Sequence, residues 1–289
     1  MLKRILKSIL RRAPWLGIYA VSLIRPIQFR RERAAFSGQL KQVEKENPSI
    51  VYFSHYRCAS MMINKRLLQL IAEGNYQQLD YQGYVHPWPI EEREAFQRDC
   101  SEHEKFGRFP ITGHYFGPLR YYVDIPGLEK MKVIVVLRDP RDVLVSRYFS
   151  EKYNHVRLDN RFKKHCETIS KLSLDEFVLQ FKEDVGAHYE FYQKNSDKLK
   201  NALFINYEEM IADFHGFLDK VNTYVGLGLS EQFLKELASQ ESFSVKSENF
   251  YSHKRSVQAR NFEKKLQQET IADLNRYFSE ILSHYGWEK

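Results

Sequence analysis

An arginine and a serine eight residues apart, Arg138 and Ser146, have side chains suited to binding a phosphate monoester. Arg138 follows an apolar run at 132–137 that predicts a buried strand, and Ser146 falls on the helix predicted after it. A guanidinium fixed at a strand end and a hydroxyl on the next helix can donate several hydrogen bonds to one phosphate. The spacing alone also allows a structural role, in which Arg138 pairs with Asp139 or Asp142.

The segment around these two residues resembles the part of PAPS-dependent sulfotransferases that binds the 3′-phosphate of the nucleotide. PAPS is 3′-phosphoadenosine 5′-phosphosulfate, the sulfuryl donor of that family. The resemblance rests on Leu137-Arg-Asp-Pro-Arg-Asp-Val-Leu-Val-Ser-Arg-Tyr148. It implies that Arg138 and Ser146 hold the 3′-phosphate.

A polar loop, Tyr56-Arg-Cys-Ala-Ser-Met61, stands where the family has a Pro-Lys-Ser-Gly-Thr-Thr-like loop around the 5′-phosphosulfate. Arg57 matches the Lys and Ser60 the first Thr, whereas Ala59 replaces the Gly and Met61 the second Thr. Backbone N–H groups at a helix start attract an anion, and Arg57 can neutralise charge on a leaving phosphate. The resemblance implies that Arg57 and Ser60 bind the 5′ end, and the departures leave open whether the loop is fully active.

The segment Ile111-Thr-Gly-His-Tyr-Phe116 resembles the family's Thr-His strand end. There the histidine takes the proton from the acceptor hydroxyl, a task for which a pKa near neutral is suited. The resemblance implies that His114 and Arg57 are the catalytic residues. The alternative is a structural or exposed histidine, since the chain contains 10 histidines.

Two later segments resemble the family less closely. The segment 203–210 resembles a strand that ends in Tyr-Glu-Asp-Met, which implies that Tyr207 contacts the adenine; an ordinary core tyrosine is the alternative. The segment 252–262 resembles a late loop that closes over the 3′-phosphate, and Arg255 matches its arginine. Other residues replace the Lys and Gly of that loop, so a solvated basic loop is the alternative.

The resemblance spans residues 50–287 in the family's order and implies a sulfotransferase. Such an enzyme moves a sulfuryl group from PAPS to a hydroxyl acceptor, releases adenosine 3′,5′-bisphosphate (PAP) and uses no metal. The segments 76–108 and 153–170 are rich in tyrosine and charge, which suits a glycan or a polar alcohol as acceptor, and a membrane anchor would favour a lipid-linked one.

Other classes of protein fit the sequence less well than a sulfotransferase. A nucleotide-dependent phosphotransferase on a related fold lacks its Walker A lysine here, and a catalytically silent nucleotide-binding adaptor would not need so many of the motif residues. Cysteine catalysis of the phosphatase type is disfavoured, because Asn64 stands where an arginine should follow Cys58. The histidines show no carboxylate partners at metal-binding spacing.

Alternating strands and helices must position these residues. Apolar patterns predict strands at 49–54, 111–116, 131–137 and 202–206, with a weaker one in 76–85. They predict helices at 60–73, 90–100, 142–149, 172–181, 187–193, 208–225, 230–238 and 267–284. This alternation predicts an α/β three-layer sandwich with a mostly parallel sheet flanked by helices, a P-loop-like nucleotide-binding core with ligands at the carboxyl ends of the strands.

The composition excludes a disordered chain and a disulfide scaffold. The chain has 289 residues, of which 43% are hydrophobic, and its three cysteines form no Cys-x-x-Cys pair. These features favour a reducing, cytoplasmic location. We expect one domain over residues 34–289.

The basic charge is concentrated in a leader, residues 1–33, which carries +8 while the remainder of the chain carries −1. The body is therefore not expected to bind nucleic acid. Residues 1–12 have the pattern of a basic amphipathic helix, and the apolar stretch 13–24 is too short to span a membrane. The leader predicts peripheral binding to an anionic membrane; a helix packed on the body, a solvated tail and a cleaved signal are the alternatives.

Overall fold

The computed structural model describes residues 25–40, 46–85, 109–120, 123–154, 167–241, 243 and 257–287. The strands are β1 (Ile50–Ser54), β2 (Gln77–Leu79), β3 (His114–Leu119), β4 (Lys132–Leu137) and β5 (Leu203–Asn206). The helices are α1 (Arg30–Phe36), α2 (Ser60–Ala72), α3 (Tyr81–Val85), α4 (Pro140–Phe149), α5 (Leu174–Lys194), α6 (Tyr207–Ala212), α7 (Phe214–Val225), α8 (Glu231–Ser239), α9 (Asn261–Lys265), α10 (Gln268–Tyr277) and α11 (Ser279–Tyr285).

The five strands form one sheet in the order β2-β3-β1-β4-β5, and every neighbouring pair is parallel. All five residues of β1 are buried because both faces of this central strand are covered. Val51 and Phe53 join a core beneath α4, α5 and α10, whereas Ile50 and Tyr52 join a second core beneath α2, α7 and α8. The predicted three-layer α/β sandwich is thereby confirmed.

The register of the sheet brings four strand ends to one edge. Ser54 at the end of β1 lies opposite Val136 of β4, and Phe53 lies opposite Leu119 of β3. Leu137 at the end of β4 lies opposite Asn206 of β5. The residues that follow these strands therefore share the carboxyl edge, where ligands of parallel sheets bind.

The helices predicted in three regions of the chain differ from the observed ones. The predicted helices 172–181 and 187–193 are the single helix α5, which starts at a capping box formed by Ser173 and Glu176. The predicted helix 208–225 is two helices, because Asp213 interrupts it and accepts the N–H of Gly216 at 2.8 Å. The predicted helix 267–284 likewise divides at Phe278 into α10 and α11.

The weak strand predicted at 76–85 is only partly correct. Its first part is β2, and its second part is the short helix α3. The helix predicted at 90–100 lies outside the described residues.

The end of the leader contacts the rest of the protein. The Arg25 guanidinium donates to the Tyr84 carbonyl at 2.5 Å, and the Glu32 carboxylate accepts the Asp80 N–H at 2.7 Å. Phe29 is buried against the Tyr84 ring. In the described part of the chain, no helix is both long and apolar enough to cross a bilayer.

Candidate active site

Three of the residues predicted to bind phosphate groups meet at the carboxyl edge of the sheet. The Nε of Arg57 donates to the Oγ of Ser146 at 3.1 Å, and an Nη of Arg138 donates to the carbonyl of Arg57 at 3.2 Å. Arg57 comes from the loop after β1, whereas Arg138 and Ser146 come from the end of β4 and from α4. The loop after β1 and the segment after β4 therefore contact each other, although they are far apart in the sequence.

The loop after β1 has an unusual backbone for its residue types. Arg57 and Ala59 have positive φ values of 69° and 55°. Ala59 is the N-cap of α2, and the buried Ser60 is the first residue of that helix. This left-handed conformation normally favours glycine, the residue that the resembling family has at the Ala59 position. The chain therefore retains the shape of the loop without its glycine.

Arg138 is held by contacts from several elements. Its guanidinium donates to Asp142 at 3.1 Å and to the carbonyl of Gln258 at 3.2 Å, and its Cζ lies 4.5 Å from the centre of the Tyr207 ring. Pairing with Asp142 was one of the two structural roles that the sequence allowed for Arg138. The ion pair forms here together with the contact between Arg138 and Arg57. The other alternative does not occur, because Asp139 pairs with Arg141 at 2.6 Å.

Asp142 connects the site to the end of the late segment. One carboxylate oxygen binds Arg138, and the other accepts the N–H of Phe262 at 2.9 Å. Residues 257–262 therefore dock beside Arg138, as expected for a segment near the 3′-phosphate. Arg255 itself lies outside the described residues.

The charges at this edge are only partly compensated. Burial disfavours the charge of Arg138, but Asp142 and the neighbouring Tyr207 and Glu208 raise its pKa overall. Burial and the charge of Arg138 together lower the pKa of Arg57. Within the described residues, Arg57 forms no ion pair with a carboxylate. A partly buried guanidinium that forms no ion pair is costly to desolvate, so an anionic ligand would stabilise the site.

The structure does not bring His114 to this cluster. His114 is the first residue of β3 and lies opposite Gln77, whereas its neighbour Tyr115 lies opposite the first residue of β1. Its backbone N–H donates to Ser49, and its Nδ1 lies 2.7 Å from the carbonyl of Thr112. The five residue steps from His114 to Leu119, about 16 Å at 3.3 Å per residue, therefore separate it from the carboxyl edge. His114 therefore lies apart from Arg57, Arg138 and Ser146, and its role as the base, which the resemblance implies, stays a prediction.

Two other histidines, which the motif comparison did not select, lie at the carboxyl edge. His55 directly follows β1, and its ring centre is 4.6 Å from that of His188 on α5. The Nδ1 of His55 lies 2.8 Å from the carbonyl of Tyr56, while its Nε2 is buried without a hydrogen-bond partner among the described residues. Burial lowers the pKa of His55 well below its usual value and that of His188 to about 4, so both are neutral at pH 7.

Glu208 and Tyr189 also contact the residues that follow β4. Glu208, next to Tyr207, accepts the N–H of Asp139 at 3.1 Å and the indole N–H of Trp287 at 3.1 Å. Burial raises the pKa of Glu208 to about 7. The Tyr189 hydroxyl donates to the carbonyl of Arg138. No local pattern could have linked Tyr189 or Trp287 to Arg138, because these contacts join distant segments.

Cysteine chemistry is not supported at this edge. Cys58 is fully buried, and burial raises the pKa of its thiol to about 12, so the reactive thiolate is not formed at neutral pH. Among the described residues, no group of three or more His, Cys, Asp or Glu side chains could hold a metal ion.

The family model of the sulfotransferase domain matches residues 127–284, which is more than half of the chain. Luciferin sulfotransferase of Photinus pyralis is 30% identical over 126 residues, which are 43% of this chain and 31% of that protein. The 3-beta-hydroxysteroid sulfotransferase of Cavia porcellus is 28% identical over 128 residues, covering 43% of this chain and 42% of that protein. The match thus spans well under half the length of these relatives.

A solved structure has a similar fold. The mouse sulfotransferase SULT7A1, crystallised in complex with PAP, superposes with a TM-score of 0.53 at 16% sequence identity. The superposition covers 86% of this chain and 89% of that chain.

Proposed function

The chain belongs to the sulfotransferase family, and from that premise we propose that it transfers a sulfuryl group from PAPS to an acceptor hydroxyl and releases PAP. The observation that carries the proposal is the contact between Arg57 and Ser146, at 3.1 Å, beside Arg138. It places the residues proposed for both ends of the nucleotide at one edge of the sheet.

The order of the strands supports an assignment for each part of PAPS. Tyr207, after β5, would border the adenine, and Arg138 with Ser146, after β4, would bind the 3′-phosphate. Arg57, after β1, would bind the 5′-phosphate together with Ser60 and the N-terminus of α2. Arg255 would close over the 3′-phosphate from the late segment.

The reaction is an in-line transfer. The acceptor oxygen forms a bond to sulfur while the bond between sulfur and the 5′-phosphate oxygen breaks, and PAP leaves with the negative charge that Arg57 stabilises. The acceptor hydroxyl loses its proton to a base. We infer that this base is His55 rather than His114, because its imidazole lies at the carboxyl edge and the contact of its Nδ1 with the Tyr56 carbonyl leaves Nε2 to accept the proton.

The acceptor proposed here is a compound with a free hydroxyl group. The names of the relatives, which refer to luciferin and to a hydroxysteroid, support a small molecule. A glycan or a lipid-linked alcohol, suggested by the tyrosine-rich segments and the leader, is the second candidate. Transfer of labelled sulfate from PAPS onto sterol, phenol, lipid and glycan extracts would distinguish these classes.

Calorimetry with PAP and with adenosine 5′-phosphate tests the nucleotide assignment. We expect the wild-type protein to prefer PAP by roughly 10–100-fold, because charged hydrogen bonds to the 3′-phosphate contribute about 1.5–3 kcal/mol. Ser146→Ala should reduce this preference several-fold. The control Ser239→Ala, at the exposed end of α8, should leave it unchanged.

Equal binding of the two nucleotides by the wild-type protein would show that the 3′-phosphate assignment is wrong. Normal PAP binding without sulfate transfer to any acceptor class would instead favour the silent nucleotide-binding adaptor. Transfer of phosphate from ATP would favour the phosphotransferase alternative.

A further inference from the structure

Arg120, which no sequence motif selected, continues a row of side chains along the carboxyl edge. It directly follows β3, whose last residue, Leu119, lies opposite Phe53 near the end of β1. Because β3 borders β1 on the side away from β4, the strand ends carry Tyr207, Arg138, Arg57 and Arg120 in sheet order. Neighbouring strands lie about 4.8 Å apart, so Arg120 is one strand beyond Arg57.

The side chain of Arg120 is positioned by an aromatic ring. Its Cζ lies 5.1 Å from the centre of the ring of Tyr56, the residue that precedes Arg57. The interaction between a guanidinium and an aromatic face restrains the side chain without using its N–H groups. Arg120 is therefore held beside the loop with its hydrogen-bond donors available.

One N–H donor of Arg120 has no acceptor in the described part of the chain. Its Nε is buried and makes no hydrogen bond to any residue in the described ranges. In those ranges no carboxylate forms an ion pair with Arg120, and the nearby Asp80 instead accepts the N–H of Gly83 at 2.8 Å. A buried donor without a partner is uncommon in folded proteins and points to a ligand that supplies the acceptor.

Arg57 and Arg120 also repel each other. Arg120 is among the charges that disfavour the protonated form of Arg57, after burial and Arg138. Neither guanidinium forms an ion pair with a carboxylate in the part of the chain that the structure describes. An anion bound between them would relieve the repulsion and satisfy both.

We propose that Arg120 binds the sulfuryl group of PAPS, the group that is transferred. This inference rests on the proposed function. In PAPS the sulfuryl group is attached to the 5′-phosphate, and the guanidinium next in the row after Arg57 is that of Arg120. As the bond from sulfur to the phosphate oxygen breaks and the bond to the acceptor oxygen forms, the three outer sulfuryl oxygens accept hydrogen bonds from Arg120 throughout. The acceptor's proton passes to the base.

The ratio of the affinities for PAPS and PAP tests this role, because PAP lacks the sulfuryl group. We expect Arg120→Gln to weaken PAPS binding about tenfold and to change PAP binding less than about twofold. Arg120→Lys keeps the charge but loses the planar fork, so its ratio should fall between those of the wild-type and Gln proteins. The control Arg276→Gln removes the same charge from an exposed position on α10 and should change neither affinity.

The possible results are separable. An unchanged ratio in a folded Arg120→Gln or Arg120→Lys protein would overturn the assignment, and so would an equal loss of both affinities, which would indicate a general structural effect. Failure of the wild-type protein to bind PAP at all would contradict the proposed function itself. Melting temperatures of all variants establish that they are folded.

Discussion

Arg57 connects the two segments that we propose bind the phosphate groups of PAPS. Its side chain binds Ser146 of α4, and its carbonyl accepts a hydrogen bond from Arg138. Because the carbonyl contact belongs to the backbone, replacing the Arg57 side chain would remove a charge while leaving Arg138 its partner. Variants at Arg57 therefore report on ligand binding more than on the position of Arg138.

The identity of the base is testable with two histidine variants. We expect His55→Gln to lower the rate of sulfuryl transfer by about 10²–10⁴-fold with PAP binding retained, which is the usual effect of losing a general base. We expect His114→Gln to change the rate only a few-fold, since His114 lies at the other edge of the sheet. Single-turnover transfer to the acceptor identified from the extracts measures both.

A loss of rate in His114→Gln alone would restore the assignment made from the sequence. Loss of PAP binding together with rate in either variant would indicate a folding defect, for which the melting temperature is the control.

Glu208 predicts a dependence of stability on pH. Its pKa is raised from 4.5 to about 7, so the native state binds a proton that the unfolded state has already lost. The contribution of Glu208 to the free energy of unfolding should therefore fall as the pH rises through this window. Glu208→Gln should become more stable relative to wild type between about pH 5 and pH 8, as measured by urea unfolding.

The neighbouring Glu209 provides the matched control. Glu209 is exposed and lies 3.6 Å from Lys220 at the surface. The stability difference between Glu209→Gln and wild type should vary less with pH. Parallel curves for the two variants would contradict a special role for Glu208.

At the residue scale, the sequence predicted the relative position of two side chains when both lie on one continuous segment. Arg138 and Ser146 sit on consecutive elements, so their separation in the sequence limits their separation in space. His114 could not be placed this way, because the edge it occupies depends on which residue of β3 lies opposite β1. Arg120 belongs to no motif, and its position follows from the same register.

At the scale of elements, the turn before α2 gives a stability prediction. Ala59 has φ of 55°, a conformation that costs a residue with a side chain about 1–2 kcal/mol relative to glycine. Ala59→Gly should therefore stabilise the protein slightly, by about 0.5–1 kcal/mol, despite the greater freedom of glycine in the unfolded chain.

Ala272 in the middle of α10 is the matched control, because it is exposed and helical. Ala272→Gly should destabilise the protein by up to about 1 kcal/mol, the usual penalty for glycine in a helix interior. Chemical denaturation of both variants measures the difference. The same sign of effect in both would show that the left-handed conformation of Ala59 is not strained.

Strands and helix starts were predictable, whereas helix continuity was not. The apolar runs located β1, β4 and β5 because strands buried on both faces contain few polar residues, whereas the strand predicted at 111–116 is observed at His114–Leu119. The gap predicted between residues 181 and 187 does not occur. Gly186 lies within α5, where a Cβ would approach the Tyr277 hydroxyl to 3.1 Å, so this glycine permits close packing of α10. Asp213 ends one helix and caps the next through a single side chain, which periodicity cannot detect.

For the whole molecule, the contacts of the leader show where the chain should be shortened to test whether the leader binds membranes. Arg25, Phe29 and Glu32 contact the domain, so removal of residues 1–24 should preserve its melting temperature, whereas removal of residues 1–33 should lower it. We propose that residues 1–24 bind anionic membranes. The full chain should then float with vesicles containing phosphatidylserine, and the chain beginning at Arg25 should not. Equal flotation of the two would refute the anchor.

The contacts of Trp287 affect how the site is completed. Its carbonyl accepts a hydrogen bond from Arg141 at 2.7 Å, and its indole binds Glu208. During synthesis, β1 and β4 leave the ribosome long before Trp287 does. The strand ends therefore acquire this support only after Trp287 has been synthesised, and a chain that stops before Trp287 would leave Arg141 and Glu208 without these two partners.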